Sequence, residues 1–108
     1  MSERITLYLE KLEGNPDNLL NRFSLAQAYY ENGEYEKAIT HLNICFEKRN
    51  DWMMASLLLG KALLAVGRKK EACAPLEQTI TLAQNQGHED PEHEAKTLLA
   101  ECMESGLA

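Results

Sequence analysis

The sequence predicts an all-α protein, an α-solenoid of about six helices stacked as antiparallel pairs. Three observations predict it. The chain matches itself when shifted by 34 residues: Leu25 falls on Leu59, Ala26 on Gly60, Ala28 on Ala62, Gly33 on Gly67, Ala38 on Ala72 and Leu42 on Leu76. Apolar residues recur at three- and four-residue spacing in runs of helix length that stop at Gly33 and Gly67. Small residues recur where paired helices would cross, Ala26 with Ala38 and Gly60 with Ala72. A larger side chain there would force the axes apart from a close spacing of about 8 Å.

The elements follow in order. Shifting back by one period sets Ile39 on Ile5, Leu42 on Tyr8 and Phe46 on Leu12. The first helix, over 2–13, is therefore the second half of a repeat, closed at Pro16, with the half repeat spanning 2–17. The first full repeat, 19–52, starts with a helix from Leu19 to Asn32, with Asp17 placed to cap it, and Gly33 ends it in a left-handed turn. Its second helix runs from Glu34 to Arg49 on Tyr35, Ala38, Ile39, Leu42, Cys45 and Phe46. The second repeat, 53–86, begins with a helix near Trp52 to Val66, with Asp51 as its cap, and continues from Lys69 to about Gln86. Pro75 lies about seven residues into that last helix and predicts a bend on the outer face.

The polar stretch from Gln84 to Asp90 contains Gly87 and reads as a loop. Asp90-Pro91-Glu92 then supplies a cap, a proline at the first helical position and an acid in the first turn. Ala95, Leu98, Leu99, Cys102 and Met103 form one apolar stripe on a helix over 91–105. Leu99 follows Leu59 by 40 residues, so the loop is expected to hold about six extra. This helix reads as the cap over the last repeat. All of 1–108 is one domain.

The residues carry a resemblance. Arg22-x2-Leu25-Ala26-x2-Tyr29 with Ala38-x3-Leu42, and Ser56-x2-Leu59-Gly60-x2-Leu63 with Ala72-x3-Leu76, resemble the pattern of the tetratricopeptide repeat family. The family's large first residue is replaced by Arg22 and Ser56, and its proline appears only as Pro16. The resemblance implies a right-handed superhelix whose first helices line a concave, peptide-binding side. Some members are cochaperones that hold a terminal carboxylate with Lys and Asn. Phe23, Gln27 and Leu58 stand at the corresponding places here, so that clamp is absent.

Composition excludes other classes. The formal net charge is −6, which offers little to a phosphate backbone, so no nucleic-acid partner is expected. The acidity is local: residues 1–70 hold ten Lys/Arg and nine Asp/Glu, and residues 71–108 hold one Lys and eight Asp/Glu. No apolar run approaches the roughly 18 residues of a membrane helix, so no membrane partner is expected. Cys45, Cys73 and Cys102 form no CxxC pair, and the start of the chain has no apolar leader; a reducing cytoplasm fits both.

Little points to chemistry. His88 and His93 are five apart with Pro91 between, unlike the four-residue spacing of zinc ligands on a helix. A metal-binding role through this pair is the weakest alternative. His41 is expected on an outward face, and Cys45 and Cys73 read as inert core thiols. Arg68-Lys69-Lys70 reads as a solvated run, and no glycine-rich phosphate loop is present. No cofactor and no enzymatic activity are expected.

A binding stripe is legible beside the packing stripe. Leu20, Phe23, Gln27 and Tyr30 share one face of the first repeat's leading helix, and Met54, Leu57, Lys61 and Leu64 are their counterparts. Six of the eight are apolar or aromatic, more than a solvated face requires. Three covers remain open. A peptide or amphipathic helix of another protein could lie there, with Gln27 and Lys61 as polar contacts. A second copy could cover it, making a homo-oligomer, or Phe23, Leu57 and Leu64 could be buried between repeats. The first gives an interaction module: a scaffold, adaptor or chaperone-like protein.

Overall fold

The computed structural model describes residues 2–105; Met1 and residues 106–108 lie outside the described part. Six helices run in order: α1 (Glu3–Gly14), α2 (Leu19–Glu31), α3 (Tyr35–Lys48), α4 (Met53–Ala65), α5 (Lys69–Gln86) and α6 (Glu89–Ser105). No strand is present among the described residues, and no helix there is long and apolar enough to cross a membrane.

Each helix packs on the next in sequence, and α4 also touches α2 and α6. The odd-numbered helices do not meet each other among the described residues, so α2, α4 and α6 share one side of the stack. This is the solenoid expected from the repeat. The core runs along the stack through Ile5, Leu25, Ala38, Leu42, Leu59, Leu76 and Ala95.

The crossings are as tight as the small residues require. A methyl group built on Gly60 would lie 2.5 Å from Leu76 Cδ2, inside van der Waals contact. A polar pair lies in the same crossing: Ser56 Oγ is 2.7 Å from Thr79 Oγ1, and both residues are fully buried. Ser56 also reaches the Met53 carbonyl and Thr79 the Pro75 carbonyl.

Three turns share one construction. Gly33, Gly67 and Gly87 have φ of 79°, 79° and 71°. At the first, the Gly33 amide donates to the Tyr30 carbonyl and the Glu34 amide to that of Tyr29. Gly67 with Arg68 and Gly87 with His88 repeat this double bond, a Schellman motif that satisfies the last carbonyls of a helix.

Several local expectations are corrected. The cap of α2 is Asn18, whose side chain accepts the Asn21 amide at 2.9 Å; Asp17 stands one residue too early. Trp52, not Asp51, precedes α4 and makes no side-chain cap, while Asp51 pairs with Arg49 at 3.7 Å. The expected loop over 84–90 shrinks to Gly87 and His88, because Gly87 closes α5 as tightly as Gly33 closes α2. The extra residues extend the helices instead: α5 has 18 residues where α3 has 14. The last helix starts at Glu89, so Asp90 is not its cap and Pro91 lies inside the first turn, where its missing N–H has no intrahelical partner to lose. Pro75 is not on an outer face. It is buried in the stripe formed with Ala72, Leu76, Thr79 and Ala83.

Candidate functional site

The shared side of α2, α4 and α6 carries two adjoining recesses. The first, of about 120 Å³, is lined by Phe23, Gln27, Met54, Leu57, Leu58 and Lys61. The second, of about 270 Å³, is lined by Tyr30, Lys61, Leu64, Ala65, Leu98 and Glu101. Lys61 borders both.

Packing from behind fixes the aromatic walls. Phe23 packs against Trp52 with ring centroids 4.8 Å apart and the planes tilted by 37°, and Trp52 is in turn covered by the Arg49 guanidinium. Tyr30 meets the edge of Tyr35 at 5.3 Å. Lys61 lies over the Tyr30 ring at 5.9 Å and pairs with Glu94 of α6 at 3.1 Å. The one cation between the recesses is thus already matched by a carboxylate and a π face.

Seven of the eight stripe residues line these recesses. Leu20 does not; it stands 65 % exposed at the start of α2. Leu57 reaches a recess wall but is only 4 % exposed and belongs to the core, whereas Met54 remains 49 % exposed. Phe23, Tyr30 and Leu64 are half-buried against that core. Leu58, Leu98 and Glu101 also line the recesses and lie outside the stripe. Leu58 was visible only as a clamp position, and the two α6 residues only as parts of a separate cap.

A larger, more open hollow of about 320 Å³ lies at the α2–α3 turn, between Gly33–Lys37 and Val66. Its polar groups bind each other: the Asn32 amide and the Lys37 ammonium both donate to Glu34, holding that carboxyl below its ordinary range.

The remaining titratable groups do not converge. His88 borders a depression with Gly87, Glu89, Asp90 and Pro91, and His93 a different one with Glu89, Glu92 and Lys96. Among the described residues no three His, Cys, Asp or Glu side chains gather to hold a metal. Cys45 is buried, and burial pushes its thiol up to about 11. Burial, then the neighbouring Cys73 thiol, raises Cys102. Cys73 is only half-buried.

His41 corrects its expectation. It is half-buried, stacks on Tyr29 at 5.9 Å, and its Nδ1 lies 2.9 Å from an Arg22 guanidinium nitrogen. The same guanidinium donates to the Pro16 carbonyl at 3.1 Å. Arg22 takes the place of the family's large first residue and bridges α2 to α3 through His41.

The family model described as anaphase-promoting complex, cyclosome, subunit 3 matches residues 3–79. A TPR repeat-containing protein of Pseudomonas aeruginosa is 36% identical over 92 residues, 84% of this chain and 88% of that protein. Among solved structures, a Bordetella parapertussis protein superposes with a TM-score of 0.78 at 25% identity, covering 97% of this chain and 91% of the other. The TPR2B domain of yeast Sti1, solved in its pHsp70 complex, superposes with a TM-score of 0.81 at 19% identity, covering 94% of this chain and 81% of the other. With the 34-residue phase, the stacked helix pairs and these matches in hand, the chain belongs to the tetratricopeptide repeat family.

Proposed function

We propose that the protein is a non-enzymatic interaction module, a scaffold, adaptor or chaperone-like unit, whose α2–α4–α6 groove holds a largely apolar peptide or helix of another protein. Tetratricopeptide arrays use their concave sides as extended binding surfaces. The observation that carries the reading is the pair of adjoining recesses, walled by Phe23, Met54, Leu58, Tyr30, Leu64 and Leu98. The partner's chemistry follows from the walls. Lys61 is matched by Glu94, so the groove offers no unpaired cation at that point for a terminal carboxylate. Gln27 leaves an amide for one backbone or side-chain hydrogen bond. The solved pHsp70 complex of the yeast Sti1 domain supports peptide capture on this fold.

Leu57→Ala is a poor probe because that side chain is core: it would destabilise the fold by about 2–5 kcal/mol. Phe23→Ala and Met54→Ala remove groove wall at half-buried or exposed positions instead. Each is expected to cost about 1–3 kcal/mol of partner binding, with helicity unchanged by circular dichroism. Affinity capture from native extract, followed by titration of the captured protein, measures this. Full retention of every partner by the double variant would refute the groove.

A further inference from the structure

The helix called a cap occupies the place of a first helix. Shifted by 40 residues, Ala55 falls on Ala95, Leu58 on Leu98, Leu59 on Leu99, Gly60 on Ala100, Ala62 on Cys102 and Leu63 on Met103. The structure follows that alignment. Ala95 and Cys102 are buried, Cys102 beside Cys73 of α5, and Leu98 lines the groove as Leu58 does. The third side of the helix is different. In α4, Ser56, Leu59, Gly60 and Leu63 are all buried, Gly60 beneath Leu76 and Ser56 against Thr79 of α5. In α2, Leu25, Ala26 and Tyr29 are buried likewise, and Arg22 meets His41 of α3. Their counterparts on α6 are Lys96, Leu99, Ala100 and Met103. Leu99 is half-buried against the core, but Lys96 and Ala100 are exposed and Met103 is 60 % exposed, and no described helix lies over these three.

We propose that this face docks a basic amphipathic helix of another protein, laid antiparallel along α6 as α5 lies along α4. The two complete repeats state what such a helix must carry. Ala38-x3-Leu42 and Ala72-x3-Leu76 cover the equivalent faces, the leucine of the second seated over Gly60. A small residue and a leucine four apart would therefore straddle Ala100 with the axes close together. Charge selects the partner's edges. Among its described side chains helix α6 carries five carboxylates against one lysine; Glu92 holds that lysine at 2.7 Å and Glu94 holds Lys61 of α4 at 3.1 Å, which leaves the helix net negative. A second α6 would bring like charges together, whereas lysines or arginines along the incoming helix would meet carboxylates. Another copy's α1 is also unsuited: Arg4 and Tyr8 stand where Ala38 and Leu42 stand, and Arg4 is engaged with Glu31.

The test uses the full chain and a synthetic peptide with the sequence of Tyr35–Lys48 carrying Glu36→Lys and Glu47→Lys. This probe keeps the Ala-x3-Leu pattern and replaces both carboxylates by lysine. Fluorescence anisotropy should show saturable binding that weakens with salt and is weaker for the unmodified peptide. Ala100→Leu is the decisive variant: it enlarges the apolar area but holds the helices apart. It should weaken binding by about tenfold, and Met103→Ala should weaken it too. Helicity of both variants is checked by circular dichroism, and the positions are exposed, so the fold is expected to persist. Unchanged or tighter binding by Ala100→Leu overturns the proposal, as does no binding at all. Loss of binding in Phe23→Ala/Met54→Ala, with Ala100→Leu unaffected, overturns it by assigning the peptide to the groove. Light scattering that shows a dimer broken by Ala100→Leu overturns it in favour of a second copy.

Discussion

Gly60 is held to glycine by one neighbour. Its missing methyl would meet Leu76 at 2.5 Å, and Leu76 is fully buried and cannot step aside. Alanine in a helix interior is favoured over glycine by about 1 kcal/mol, while forcing a methyl into a packed core costs about 1–3 kcal/mol. Gly60→Ala should therefore destabilise by up to about 2 kcal/mol in urea unfolding, and Leu76→Val should relieve part of that loss in the double variant. A stabilised single variant would contradict the crossing geometry. His41 makes a second prediction. Its Nδ1 faces the Arg22 guanidinium, a donor only, so the ring is neutral with its proton on Nε2. Burial first, then the Arg22 charge, holds the folded imidazole below its ordinary value of 6.5. Above that value neither state takes up a proton and His41 contributes no pH dependence. As the pH falls below 6.5, the unfolded chain binds a proton that the folded chain refuses, so stability drops until the lowered folded value is passed. Glu34 and Glu92, held below 4.5, stay ionised over the upper part of that window. Urea unfolding between about pH 7.5 and 5 should show this loss, and His41→Gln should flatten it. An equal slope in both proteins would remove His41 from the account.

At the scale of elements, the sequence made the helices legible and their joints less so. Helix positions followed from apolar spacing because each helix buries one stripe, as α3 buries Ala38, Ile39, Leu42 and Cys45. Gly33 and Gly67 were readable as stops because the left-handed turn excludes most side chains. Gly87 takes the same conformation, but the polar residues around it masked a tight turn as a loop. Caps were illegible for a related reason: Asp17 and Asn18 are adjacent candidates, and only the backbone direction entering α2 decides between them. Pro75 was misplaced because its interruption of the helix was weighed above its spacing, which sets it between Ala72 and Leu76 on the buried stripe. The groove was half-legible. Spacing alone gave Phe23, Gln27 and Lys61, but Leu57 is taken almost wholly into the core, and its neighbour Leu58 lines the recess beside it. How deep each of them sits is decided by contacts with the neighbouring helices, which no single helix encodes.

At the scale of the molecule, the stack is elongated: its radius of gyration is 14.0 Å, against about 13 Å for a compact domain of this length. Each helix gains its burial from its neighbours, so stability is graded along the stack. Among the described residues helix α4 touches α2, α3, α5 and α6, while α1 touches α2 alone and buries only Ile5 and Leu12. A 12-residue helix is marginal in water without such packing. Native-state hydrogen exchange should accordingly show the greatest protection in α4 and the least in α1, with α1 opening as a separate unit. Ile5→Ala sharpens the test. Removing that fully buried side chain costs about 2–5 kcal/mol, which is large against the local stability of a helix with two buried residues. The variant should lose protection throughout α1 while α4 and α5 keep theirs. Equal loss across all six helices would mean that the array folds as one indivisible unit, and that the half repeat is as integral to it as the two complete ones.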